Sequence, residues 1–367
     1  MEALYKEKGE RFFAAANTEK GFLSYFEQIF FDGSLDRIYI LKGGPGVGKS
    51  TFMKKAGQLA EEKGFTPEYF HCSSDPYSLD GVIIKEKGVC IIDGTSPHAI
   101  EPRLCGARDI IVDLGRAWDT KKLSEKVKEI SEISKSKAEC YKQCYSEFAC
   151  KGVVDGCIEN LVEGYVFEEK LEKCACRLYR SLFKSCRKKS GEKAKTRITT
   201  ALSCKGKIRL STFEDMADYC IFLKPPYVQS KIASKFIKTM EMLAKEEGYS
   251  YYISYNPQNP SMADGIYFCD IGVSVSIYDN ALVASCDRCA KGCKIINCAR
   301  FVDAKRIRAT RPLRRFYAKL SQKLEGEALC SLAKAGSLHA RLEEIYSSCT
   351  DYKKVEKITG EYLKQIF

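Results

Sequence analysis

Residues 43 to 50 read Gly-Gly-Pro-Gly-Val-Gly-Lys-Ser, a full match to G-x-x-x-x-G-K-[ST]. They lie between the apolar run Ile38-Tyr39-Ile40-Leu41 and a helix-like stretch from Lys49. Strand, glycine loop and helix in that order commit this part of the chain to an α/β fold whose strand ends meet helix N-termini. The chemistry explains the residue types. Glycines let successive N–H groups turn toward phosphate oxygens, Lys49 reaches the outer phosphates, and Ser50 offers a hydroxyl to Mg²⁺. Gly43 and Gly48 are the motif glycines and Gly44 and Gly46 loosen the loop. With Pro45, Val47 and Thr51 they make up the expected nucleotide-contacting set.

Two further strands are predicted, Glu68 to Cys72 and Val89 to Asp93, the latter ending in an acid. Asp93 is therefore the expected second Mg²⁺ ligand, opposite Ser50.

At 367 residues the chain is long enough for two domains. It has no run of 18 apolar residues, and Met1 to Lys8 is charged with no apolar segment behind it, so neither a membrane span nor a signal peptide is expected and the chain reads as cytoplasmic. Its nineteen cysteines are scattered through strands and helices, as expected for reduced thiols used as small apolar residues.

The second half echoes the first. Ile40-Leu41-Lys42 recurs as Phe222-Leu223-Lys224, Ala60 to Phe65 as Ala244 to Tyr249, and Asp80-Gly81 as Asp264-Gly265, at separations between 182 and 186. Lys20-Gly21 with Lys205-Gly206, Asp93 with Asp279, and Arg116 and Asp119 with Arg300 and Asp303 fit the same spacing. The expectation is two tandem P-loop NTPase-like units with parallel sheets, residues 1–195 and 196–367, each ending in a helical segment. Apolar positions on those segments include Ile130, Cys144 and Phe148 in the first and Leu313, Phe316, Leu320, Leu342 and Ile345 in the second. The second unit reads Pro225-Pro226-Tyr227-Val228-Gln229-Ser230-Lys231-Ile232 where the loop should be, with no glycine. Prolines remove donors and Tyr and Val resist positive φ, so one active site and one pseudo-site are expected, with Lys231 under Lys49.

Three strings together, Ile40 to Thr51, His71-Cys72-Ser73-Ser74-Asp75-Pro76 with Ser78-Leu79-Asp80-Gly81, and Asp93-Gly94-Thr95-Ser96-Pro97-His98, resemble a family of uncharacterised bacterial ATP-binding proteins or ATPases. That family is common in spore-forming and related Gram-positive anaerobes and carries two P-loop units in tandem. The resemblance spans essentially the whole chain and implies ATP as nucleotide and a doubly wound α/β fold, but no substrate. The family often keeps a glycine-rich loop in its second unit, and this chain departs there.

Ligands of open parallel sheets gather at the strands' C-terminal ends, so Asp75, Asp80 and His98 are expected near the outer phosphate, where a carboxylate orients a water or an acceptor hydroxyl and an imidazole moves a proton. Arg103 or Arg108 is the expected arginine finger, while Arg116, which recurs as Arg300, reads as structural. The net charge of +12 concentrates in Arg180 to Arg197, which looks like an exposed linker, and in Lys305 to Arg315. Neither stretch interleaves aromatics for base stacking, so nucleic acid is a disfavoured partner. Cys286, Cys289, Cys293 and Cys298 place four thiols within thirteen residues, a set that could hold zinc or an iron–sulfur cluster but matches no standard spacing. The expected activity is a Mg²⁺-dependent ATPase with nucleotide, ATP in preference to GTP, as ligand. The alternatives are a small-molecule or nucleotide kinase and an ATP-dependent regulatory module acting on an unidentified protein partner.

Overall fold

The computed structural model describes residues 9–97, 99–184, 186, 194–227, 231–285 and 292–367. The first half runs β1 (Glu10–Phe13), the hairpin β2 (Ala15–Thr18) and β3 (Gly21–Ser24), α1 (Phe26–Phe30), β4 (Arg37–Lys42), α2 (Lys49–Glu62), β5 (Glu68–His71), β6 (Leu79–Ile84), β7 (Val89–Asp93), β8 (Asp109–Asp113), α3 (Thr120–Glu125), α4 (Val127–Asn160) and α5 (Glu168–Phe183). The second half repeats the order as β9 (Lys195–Thr196), β10 (Thr200–Ser203), β11 (Gly206–Arg209), α6 (Thr212–Met216), β12 (Tyr219–Lys224), α7 (Ile232–Glu247), β13 (Tyr251–Tyr255), β14 (Ala263–Phe268), β15 (Val273–Ile277), α8 (Asn280–Ser285), β16 (Cys293–Asn297), α9 (Ala304–Ala309), α10 (Arg311–Ser347) and α11 (Tyr352–Ile366).

The chain is α/β with two six-stranded sheets, ordered β1-β5-β6-β7-β4-β8 and β9-β13-β14-β15-β12-β16. The expected all-parallel pairing is corrected: β6 and β14 run antiparallel to both neighbours, and the other pairs are parallel. The cause is the short link between β5 and β6, which permits a hairpin-like return but no crossover helix. Asp80 accordingly sits within a strand, β6, and not beyond the C-terminal end of one.

Even local turn chemistry repeats. Thr18 Oγ1 donates to Gly21 O at 2.7 Å and Ser203 Oγ to Gly206 O at 2.9 Å, each in a hairpin whose glycine has positive φ. Asp113 and Asn297 cap equivalent 3₁₀ turns, accepting from Gly115 N and Ala299 N, and Asp119 and Asp303 cap α3 and α9.

The halves share their interior. Phe12, Phe13, Phe30 and Phe70 pack with Phe213, Phe222 and Tyr252 in one core, and Phe13 N donates to Ile198 O at 2.7 Å. Arg197, counted with the basic linker in sequence, is 2% exposed and paired with the fully buried Glu68. Long α4 and α10 pack antiparallel, Ile133 against Leu342 and Ile345, and Cys144 and Phe148 against Ala328 and Leu332. The apolar start of α10 departs from expectation: Leu313, Phe316 and Leu320 are exposed.

Beyond the long pair the helices exchange. α5 contributes Leu171, Ala175 and Tyr179 to the core of the second sheet, while α11 contributes Val355 and Ile366 to that of the first. Matching bonds fix both crossings: Asp119 N to Cys349 O and Asp351 N to Ala117 O, both 2.8 Å, mirrored by Asp303 N to Tyr165 O at 2.9 Å and Phe167 N to Phe301 O at 2.8 Å.

Candidate functional site

The loop after β4 holds Gly43, Gly46 and Gly48 at φ of 149°, 70° and 103°, conformations that only glycine adopts without strain. Among the described residues, no backbone N–H from Gly44 to Thr51 donates a hydrogen bond to the protein, Pro45 having none to give. A row of open donors at the start of a helix is an arrangement that suits an anion. Val47 is buried and anchors the loop to the core beneath it, while Thr51 is exposed.

Lys49 Nζ curls over the loop, donating to Gly43 O at 2.7 Å and Gly44 O at 2.9 Å, with Asp93 Oδ2 3.6 Å away. Asp93 also accepts from Thr95 N at 2.9 Å and Thr95 Oγ1 at 2.6 Å. Burial raises its carboxyl pKa against the pull of Lys49 and Thr95, and the charge of Asp80 adds to the rise. Lys49 and Asp93 thus meet at the C-terminal edge of β4 and β7, with Ser50 next along α2. Ser50 Oγ accepts Leu79 N–H at 3.1 Å, pinning β6 to α2. Open N–H donors, a lysine and a buried acid fit a phosphate with a hard cation, for which Ser50 and Asp93 are the available oxygens.

The other expected residues fall differently. Asp75 accepts from Ser78 Oγ at 2.8 Å and Tyr77 N at 3.4 Å, which is turn chemistry. His71 has Nδ1 2.8 Å from Pro76 O, and burial lowers its pKa to about 4, so it is a neutral brace for the same turn. His98 lies outside the described residues. Arg103 and Arg108 are corrected as arginine fingers: Arg108 O accepts Ile38 N–H at the start of β4, the edge opposite the glycine loop. Arg108 clamps Asp109, and Arg103 pairs with Glu27 over the Phe31 ring. Arg116 is exposed beside Asp113. Cys286 and Cys289 lie outside the described residues; Cys293 is exposed on β16, whereas Cys298 is buried, donates to Ile296 O and has its thiol pKa pushed up to about 12 by burial. Among the described residues no group of three or more His, Cys, Asp or Glu side chains is arranged to hold a metal.

The second half serves as an internal comparison. Ser234 Oγ accepts Ala263 N–H at 2.9 Å, reproducing the bond of Ser50. The link from strand to helix is therefore two residues longer, Lys224 to Ser234 against Lys42 to Ser50. This moves Ala233, not Lys231, under Lys49; Lys231 pairs instead with Glu159 of α4. Pairing register also puts Ile277 opposite Leu223 where Asp93 stands opposite Leu41, so the counterpart of Asp93 is Ile277 and not Asp279. Both Lys49 and Asp93 are lost together, whereas the serine shared by both halves is a structural pin.

Residues from the far half, together with Trp118, roof the loop, which sequence reading missed. Tyr352 Oη donates to Gly46 O at 2.8 Å. A Cβ on Gly46 would stand 2.7 Å from Glu343 O, and one on Gly44 would stand 3.2 Å from both Trp118 and Tyr346. The only signal in the sequence was the repeat itself, which implies a second helical segment without saying where it docks.

No family model, curated protein or solved structure matches this chain.

Proposed function

We propose that the first half binds a Mg²⁺-nucleotide, ATP in preference to GTP, at residues 43–51 and hydrolyses it, while the second half is a pseudo-site. The observation that carries this reading is the joint placement of Lys49 and Asp93, 3.6 Å apart, over a loop of unpaired N–H donors, with both residues replaced by Ala233 and Ile277 in the other half. Lys49 moves from the Gly43 and Gly44 carbonyls to the phosphates when the anion arrives. Ser50 and Asp93 are the residues that would hold Mg²⁺, which would supply positive charge against the phosphoryl group. Asp75 and His71 shape the neighbouring loop.

A regulatory module with slow turnover is the second reading, favoured by the Tyr352 to Gly46 bond, which ties the loop to the exchanged helices. Titration with Mg²⁺-ATP and Mg²⁺-GTP, followed by phosphate release, tests both readings. Lys49→Ala is expected to weaken binding at least about a hundredfold and Asp93→Asn to abolish turnover while retaining nucleotide. Binding without phosphate release in the wild type selects the regulatory reading, and binding unaffected by Lys49→Ala refutes both.

A further inference from the structure

Arg103 and Arg108 lie at the edge away from the glycine loop, and a different cation is carried by the long helices, one of whose residues, Glu343, abuts that loop. Lys137 of α4 has its Nζ 3.4 Å from His339 Nδ1 of α10, and among the described residues it makes no ion pair. Lysine is only a donor, so His339 Nδ1 is the acceptor and the imidazole proton sits on Nε2, 3.8 Å from Glu343 Oε1. Glu343 is the residue whose backbone abuts Gly46. Tyr141 lies one turn along α4 from Lys137, so the two share one helix face. The charges of Lys49 and Asp75 both act on His339 and on Glu343.

The repeat supplies the comparison. In the other half, Ser321 takes the place of Lys137 and Asp155 that of His339, with Ser321 Oγ donating to Asp155 Oδ1 at 2.6 Å. Glu343 is matched by Glu159. Asp155 is in turn paired with the buried Lys151, whose Nζ lies 2.5 Å from Asp155 Oδ2 and 3.7 Å from Glu325, so in that half the cation between the long helices is already held by carboxylates. Lys137 has no such carboxylate among the described residues, and a cation left without one is what a bound anion needs.

We infer that Lys137, carried on α4 and oriented by His339 from α10, is a phosphate-contacting cation of the nucleotide site, in the place where an arginine finger was expected. Lys137 contacts the nucleotide phosphates, His339 is a positioning residue, and the site is complete only when the two long helices are paired. This rests on the nucleotide reading of residues 43–51.

The test uses the full chain, with Mg²⁺-ATP as probe and circular dichroism to check folding. Lys137→Met is expected to raise the Kd by about ten- to a hundredfold, the loss of one hydrogen bond to a charged group. Lys137→Arg is expected to bind near wild-type strength, as is Ser321→Ala at the related position. His339→Leu is expected to weaken binding by a smaller factor that His339→Gln restores, since a glutamine oxygen can accept from Lys137; loss of packing alone is not rescued this way. Should Lys137→Met or Lys137→Gln fold and bind within about twofold of wild type while Lys49→Ala does not bind, this inference fails and the nucleotide reading stands. Absence of Mg²⁺-ATP binding in the wild type overturns both.

Discussion

Arg197→Met removes one partner of a buried charge pair at the junction of the halves. Arg197 donates through Nε to Glu68 Oε1 at 3.2 Å and through Nη2 to Oε2 at 2.8 Å, and Lys85 Nζ lies 3.0 Å from Oε1. Burial alone raises the Glu68 pKa, but Arg197 and Lys85 together outweigh it and bring it from 4.5 to about 2. That depression corresponds to about 3 kcal/mol in favour of the folded ion at neutral pH. Because the folded value lies below the unfolded one, this stability is present above pH 4.5 and is lost as pH falls toward about 2.

Deleting Arg197 is therefore expected to lower stability by about 3 kcal/mol, at the lower edge of the usual penalty for orphaning a buried charge because Lys85 remains. The fold contains its own control. The positions related to Glu68 and Arg197 by the repeat are Tyr252 and Phe12, whose rings meet edge-on at 6.2 Å. The double variant Glu68→Tyr, Arg197→Phe is then expected to lie within about 1 kcal/mol of wild type, since apolar replacement of a buried pair is often neutral. Lys85 still has Glu10, 3.1 Å away in the wild type, as a partner. Urea unfolding followed by the single tryptophan, Trp118, at neutral pH and at pH 3 measures both. A loss below about 1 kcal/mol for Arg197→Met, or a double variant as unstable as the sum of the singles, refutes the argument.

Gly46→Ala forces a side chain into a left-handed residue at φ 70° and against Glu343 O, so it is expected to cost about 1–2 kcal/mol and to weaken Mg²⁺-ATP about tenfold by calorimetry. Ala233→Lys with Ile277→Asp puts the lost pair back in the second half, but Pro225 and Pro226 still offer no donors. Stoichiometry is expected to stay at one nucleotide per chain, and a second equivalent would show that the glycine loop is dispensable.

The core strands β4, β5 and β7 were legible because each is a short apolar run bounded by turn chemistry, and the glycine loop because its residue types follow from its contacts. β6 was not, since Asp80-Gly81 inside Leu79–Ile84 reads as a turn until the pairing with β5 and β7 is seen. The repeat was visible as echoes, but a two-residue change in the loop put Lys231 under Lys49 and hid the equivalence of Ser50 with Ser234. Arg197 read as solvated because its partner Glu68 is 129 residues away, and Lys137 and His339 stayed invisible as a pair because 202 residues separate them. Exchange of α5 and α11 between sheets is decided by long-range packing, which periodicity along one helix does not encode.

The central claim is that one half of the chain holds a Mg²⁺-nucleotide and the other does not. Calorimetric titration of the wild type and of Lys49→Ala with Mg²⁺-ATP tests it most directly. The account predicts one site per chain in the wild type and none in the variant. Two sites in the wild type, binding that survives Lys49→Ala, or no binding by the wild type would contradict it.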